Sequence, residues 1–317
     1  MRGLVLHQRL RLHNDLPIPS SSSQEARIRV IQAGICSTDL QLIKGYMAFQ
    51  GVIGHEFVGM VDDALEASLV GKRVVGEINA ACRICETCVN GRHSHCPHRT
   101  TLGIHGRDGA FADYLTLPVE NLFVIPESIT NDQAVFIEPL AAACEITQIV
   151  SIRPTDRVVV IGDGKLGLLC AQILGLSGCA VTLLGRHSEN YTWLNKLGVM
   201  VTSHPGDICR GADIIVEATG TPEGLSTAIQ LIRPRGTIVL KSTYHGNVSL
   251  NMADFVIQEI SLVGSRCGPF APAIRLLEAG HIRVDPFIHA HFTLTEGMLA
   301  MEKAAQRGVL KVMLHMA

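Results

Sequence analysis

The chain has 317 residues, 47% hydrophobic and 18% charged, with a formal net charge of −2. That balance excludes a disordered chain and gives no electrostatic reason to expect nucleic acid or an anionic membrane as partner. The N-terminus MRGLVLHQRLRLHNDLP carries charges throughout and has no secretory h-region, and no apolar run reaches bilayer length, so a cytoplasmic protein is expected.

Residues 1–145 read as strands and turns, with apolar runs such as IRVIQAGI (28–35), IGHEFVGMV (53–61) and RVVGEI (73–78) between glycine-rich breaks. SSSSQE (20–25) is a polar loop within this region. From about residue 146 the pattern changes to strand–helix alternation. DRVVVIGDG (156–164) is a doubly buried strand ending in glycines, KLGLLCAQILGLSG (165–178) a helix, and CAVTLLG (179–185) the next strand. NYTWLNKLG (190–198) is helical, ADIIVEATG (212–220) a strand, and TPEGLSTAIQLIRPRG (221–236) a helix running into a turn. TIVLKS (237–242) and ISLVGS (260–265) are strands, PAIRLLEAG (272–280) and TEGMLAMEKAAQRG (295–308) helices, and VLKVMLH (309–315) a last strand.

Cys82, Cys85, Cys88 and Cys96 have the spacing C-x2-C-x2-C-x7-C. Thiolates so placed can close on one ion, and four fill the tetrahedral sites zinc prefers, which makes this zinc structural. An iron–sulfur cluster also takes four cysteines, and Pro97 follows the last of them; unbound or disulfide-bonded cysteines are the remaining alternative. Cys144, Cys170, Cys179, Cys209 and Cys267 lie among apolar or small residues and are expected as buried small hydrophobes. Ten cysteines also fit a reducing compartment.

Gly162, Gly164 and Gly167 form G-D-G-K-L-G at a strand-to-helix junction, with Lys165 and Leu166 opening the helix. The first glycine allows the tight turn, the second lets the backbone approach a pyrophosphate, and the third lets helix and strand pack closely. An NAD site places an acid at the end of the second strand, where this chain has Gly185 followed by Arg186 and His187. Loss of the acid, gain of a base and the room beside a glycine favour NADP over NAD.

Cys36, His55, Glu56 and Glu138 supply a soft sulfur, an imidazole and carboxylates, the donors of an open zinc site that keeps a water. The motifs GICSTD, GHE, the four-cysteine lobe, DGAFADY (108–114), EPLAAA, GDGKLG, EATG and LKVML run nearly the whole length. In that order they make the chain resemble the zinc-dependent medium-chain dehydrogenases, close to the alcohol, polyol and threonine dehydrogenase branch.

The resemblance implies an α/β chain: a GroES-like, mostly-β catalytic domain from both chain ends (1–145 and 270–317, with the zinc lobe at 80–98) and an inserted Rossmann domain with a doubly wound parallel sheet (146–269). It implies two zinc ions per chain. Cys36 and His55 would ligate the catalytic one, with Glu56 or Glu138 as ligand or as holder of its water. Asp39 would orient the histidine, Thr38 would take the substrate proton, and Thr219 in EATG would belong to the cofactor site. The family often carries a proton-relaying histidine where this chain has Gln41, so proton release needs another route. The implied reaction is hydride transfer between NAD(P) and an alcohol or polyol, or its carbonyl, by a homo-oligomer (a dimer or tetramer). The alternatives are an NAD-dependent threonine- or sugar-type dehydrogenase and a non-catalytic nucleotide-binding sensor. A zinc ribbon binding nucleic acid finds only a modest basic signal in Arg83, Arg92 and Arg99.

Overall fold

The computed structural model describes residues 1–208, 210–243 and 248–316; Cys209 therefore lies outside the described residues. In chain order the strands are β1 (Gly3–Leu6), β2 (Leu10–His13), β3 (Glu25–Gly34), β4 (Gly51–Val52), β5 (Glu56–Asp63), β6 (Arg73–Gly76), β7 (Asn79–Ala80), β8 (Thr100–Leu102), β9 (Gly106–Arg107), β10 (Tyr114–Pro118) and β11 (Leu122–Val124). They continue as β12 (Arg157–Ile161), β13 (Ala180–Leu184), β14 (Val199–Thr202), β15 (Ala212–Glu217), β16 (Ile232–Leu240), β17 (Ser261–Gly264), β18 (Ile288–Thr293) and β19 (Lys311–His315). The chain divides into two compact units, Met1–Glu138 with Ala273–Ala317, and Pro139–Pro272.

In the first unit the main sheet runs β11-β6-β5-β3-β19-β18, with β10 also paired to β3. Along β3 the buried Ala26, Ile28 and Val30 alternate with Arg27 and Arg29, the period-two pattern that fixes which face meets the core. Leu4, Ile28, Ile53, Phe111, Leu115, Leu117, Val312 and Leu314 form that core, each burial worth about 1.5–3 kcal/mol before entropy. The C-terminal strand β19 lies beside β3, Met313 opposite Gly34, and so returns the chain end to the start of the fold.

Strands and turns do not account for all of 1–145, because helices occupy Ser37–Ile43, Asn131–Val135 and Ile137–Cys144. Short polar caps start the first two. Asp39 accepts from the Cys36 N–H, and Thr130 and Gln133 exchange side-chain and backbone hydrogen bonds in a capping box. The strand β18 also goes beyond the sequence pattern.

The second unit holds a sheet in the order β14-β13-β12-β15-β16-β17, every neighbouring pair parallel. This is the doubly wound order, with its switch point at the first strand. Strands β12, β13 and β15 are buried almost throughout, as their continuous apolar runs require. Strand β14 and the helix Met252–Gln258 are additional to the expected elements. The helical stretch expected at 190–198 is a 3₁₀ helix, Ser188–Leu197, broken at Tyr191 (φ −119°). Residues 232–236, expected as a turn, belong to β16. The register with β15 jumps there from Ile232 to Thr237, and Arg235 takes φ +60°. Cys144, Cys170 and Cys179 are buried as expected, whereas Cys267 is half-exposed in the loop after β17. No described helix is long and apolar enough to cross a membrane.

Candidate active site and metal centres

The four-cysteine lobe grows out of β7 and returns through β8. Its sulfurs stand 3.5 Å (Cys85–Cys88), 3.5 Å (Cys82–Cys96), 3.8 Å (Cys85–Cys96) and 4.0 Å (Cys82–Cys88) apart. A tetrahedron of thiolates about 2.3 Å from one zinc has edges of ~3.8 Å, so the donor set fits a single ion. These separations are far too long for a disulfide, and a cluster of several irons would push the sulfurs further apart. The lobe also prepares its charge. Burial opposes ionisation of Cys96, but the amides of Cys82 and His98, at 3.5 and 3.4 Å, outweigh it and bring that thiol down to about 6.

The second donor set is assembled from distant segments. Cys36 precedes the helix Ser37–Ile43, while His55 and Glu56 stand at the start of β5. Their donor atoms all lie within 4.8 Å of one another. Glu138, in the first turn of Ile137–Cys144, stands outside that group. Asp39, fully buried, serves two members at once: Oδ2 accepts from the Cys36 N–H at 2.7 Å, and Oδ1 lies 3.2 Å from His55 Nδ1. Burial by itself would lower the His55 pKa, but the Asp39 carboxylate outweighs it and holds the value well above the ordinary range. Burial pushes Glu138 up to about 7, with His55 pulling the other way and Glu56 adding to the rise. Thr38 Oγ1 lies 3.8 Å from Cys36 Sγ, and Gln41 on the same helix is exposed. Phe49 is buried in the core of this unit, and Tyr46 packs against that core.

One member of this centre was not picked out from the sequence. Lys311, fully buried on β19, donates its Nζ to Glu56 Oε2 and lies 5.2 Å from the centre of the Phe136 ring. A methyl group on Gly34 would come within 2.6 Å of Val135 and 2.9 Å of Glu56 Oε2, so the glycine keeps the space this pair needs. The signal lay in VLKVMLH: a lysine inside an otherwise apolar strand must find a charge when the strand is buried.

In the second unit, Gly162 follows β12 with φ +113°, a conformation other residues rarely adopt, and Gly164 caps the helix Lys165–Gly175. A Cβ on Gly167 would lie 1.9 Å from the Gly162 carbonyl oxygen, so only glycine permits the close crossing. Lys165 and Leu166 form the first turn of that helix. Thr219 spends its hydroxyl and amide on Glu217 Oε1, at 2.5 and 2.8 Å. Arg186 is exposed beyond β13. The room expected beside Gly185 is filled: a Cβ there would meet Asp163 Cβ at 2.4 Å, and Asp163 Oδ2 accepts from the His187 N–H at 2.6 Å.

A β-rich unit that gathers thiolate, imidazole and carboxylate donors, in one chain with a doubly wound unit carrying a glycine-rich turn, defines a metal-assisted, dinucleotide-dependent oxidoreductase. Residues 22–127 match the alcohol dehydrogenase GroES-like domain and residues 166–279 the zinc-binding dehydrogenase family. D-arabitol-phosphate dehydrogenase of Enterococcus avium is 28% identical over 95% of this chain and 92% of its own. A zinc-binding dehydrogenase of Sinorhizobium meliloti, solved bound to NADP, superposes with a TM-score of 0.90 at 26% identity over 99% of this chain and 98% of its own. An Escherichia coli alcohol dehydrogenase solved with NADH gives 0.90 at 27% identity over 99% of both chains. The chain belongs to the zinc-dependent medium-chain dehydrogenases and is an oxidoreductase of the alcohol dehydrogenase type.

Proposed function

We propose that the protein oxidises a polyol or sugar alcohol, or reduces the matching carbonyl, at a zinc held by Cys36, His55 and Glu56. The observation that carries this reading is the convergence of those three donors within 4.8 Å, backed by the buried Asp39. Zinc in that set would supply Lewis acidity and the nicotinamide would carry the hydride. Asp39 orients His55 and fixes Cys36 through its amide, and Lys311 holds the Glu56 carboxylate. Thr38 is the hydroxyl suited to receive the substrate proton. With Gln41 exposed and unable to act as acid or base, that proton leaves through water. A second zinc in the four-cysteine lobe would be structural. The polyol class is supported by the relative that acts on D-arabitol phosphate.

The cofactor is a nicotinamide dinucleotide; the Arg186 charge favours NADP, whereas the space beside Gly185 is filled by Asp163, so the choice between NAD and NADP turns on those two side chains. Exposed Met252, Val256 and Ile257, with Leu262 on the open edge strand β17, support a homo-oligomer formed through the second unit. The nine described cysteines, none in a disulfide, support a reducing compartment such as the cytoplasm.

Cys36→Ser tests the reading. Turnover of polyols should fall by about a thousandfold or more and zinc content from about two to about one per chain, with the fold retained. Turnover within a few-fold of wild type would overturn the assignment of the catalytic metal.

A further inference from the structure

The chain has no acid at the end of its second nucleotide-binding strand, where Gly185 stands, yet an acid does occupy that place in space. Asp163 is the residue between the first two glycines of the loop. Its side chain lies on Gly185, where a Cβ would come within 2.4 Å of its Cβ, 2.6 Å of its Cγ and 2.7 Å of its Oδ2. Two hydrogen bonds lock this arrangement from both sides: Gly162 N–H to the Leu184 carbonyl at 2.9 Å, and His187 N–H to Asp163 Oδ2 at 2.6 Å. Gly185 is thus the socket of a carboxylate. No side chain larger than hydrogen fits there while Asp163 keeps its place.

We propose that Asp163 is the specificity-determining acid of the cofactor's adenosine ribose, delivered by the glycine-rich loop instead of the strand end, and that it makes the protein prefer NAD(H) over NADP(H). This rests on the dehydrogenase reading, because it assumes a dinucleotide seated on Gly162–Gly167. The chemistry follows from charge. A carboxylate accepts hydrogen bonds from a ribose diol, whereas a 2′-phosphate offers it no donor and repels it.

Arg186 stands against this effect, but its side chain is exposed, where pairing energy is screened and side-chain entropy is lost. It also has an acid of its own nearby. The Glu223 carboxyl is held below its usual range first by its own amide and Thr221, and then by Arg186. Asp163 instead sits against the strand end, held by a backbone amide at 2.6 Å. The fixed charge should outweigh the mobile one.

Equilibrium binding of NADH and NADPH to the purified zinc-loaded protein, followed by nicotinamide fluorescence and calorimetry, tests the proposal without reference to turnover. The wild type should bind NADH about tenfold more tightly than NADPH, or better. Asp163→Asn keeps the shape and an acceptor for His187; it should shrink that ratio by about tenfold, chiefly through tighter NADPH binding. Gly185→Ala should dislodge the carboxylate and shrink the ratio as well. A wild type that prefers NADPH, or an Asp163→Asn ratio equal to the wild-type ratio, overturns the proposal and leaves the dehydrogenase reading standing. Binding of neither nucleotide overturns that reading and the proposal with it.

Discussion

The two sulfur-bearing centres of the first unit are built in opposite ways. The lobe takes all four donors from one stretch between Cys82 and Cys96, and its sulfurs need only one another and two backbone amides. The other centre takes donors from the turn before a helix, the start of β5 and, through the Lys311–Glu56 pair, the far end of the chain 255 residues away. A local cage has no means of positioning beyond its own loop, so the ion itself must supply the stability. A non-local centre is held by the surrounding core and so stays folded while keeping donors free for chemistry.

The largest effect should come from the local cage. Cys88→Ser removes a donor for which the loop has no substitute, and structural zinc in such sites contributes on the order of 10 kcal/mol. The variant should lose the lobe zinc and show a markedly lower melting temperature, with proteolysis between residues 80 and 98, as read by metal analysis and limited digestion. If Cys88→Ser instead melted like wild type with two zinc ions bound, the contrast between the centres would collapse.

A somewhat smaller loss is expected at the non-local centre from Lys311→Met. In protein freed of the catalytic zinc, the Glu56 carboxylate, at 1% exposure, would be left without a counter-charge, which costs about 3–5 kcal/mol. Adding Glu56→Gln should recover much of that stability in urea denaturation, because no unpaired charge then remains buried. A double variant no more stable than the single one would show that Lys311 acts through packing on Phe136 instead.

The same contrast explains what was legible in the sequence. Spacing alone announced the lobe, because ligands close in sequence must be close in space. The glycine-rich turn was equally legible, since its strand and helix flank it directly. Cys36, His55 and Glu56 could be offered as donors from their residue types, but only likeness to a family joined them into one site, because no local rule brings residue 36 to residue 55. Lys311 and Asp163 were missed for a related reason. Each lay in plain view in LKVML and GDGKLG, but its meaning depends on a partner, Glu56 or Gly185, that only the folded chain supplies. Gly185 shows the cost of reading a position alone: a glycine suggests empty room, but here it is the floor under an acid. The helices within 1–145 were missed because they are short and their caps are single polar residues among strands.

The smallest effect concerns how the local cage is tethered to the unit around it. Arg107, on β9, donates to both carboxylate oxygens of Glu25 at the start of β3, at 2.6 and 3.1 Å, and its Nε reaches Thr100 on β8 at 3.0 Å. It therefore ties the small sheet bearing the lobe to the main sheet. The Arg107 hydrogen bonds lower the Glu25 pKa, against burial, which raises it. A depressed folded-state value means that the pair stabilises the protein above the ordinary glutamate pKa of about 4.3 and ceases to do so as pH falls through the lower folded value. With both side chains partly exposed, the contribution is at most about 1 kcal/mol. Arg107→Gln should thus be slightly less stable than wild type near pH 6, and the two should converge on acidification below ~4. Because acid also strips zinc from both proteins, the quantity to follow is the difference in urea midpoints, measured pH by pH. A difference that stays constant from pH 6 to pH 3 would mean that Arg107 tethers the lobe through Thr100 and the Thr116 carbonyl alone, without help from the charge on Glu25.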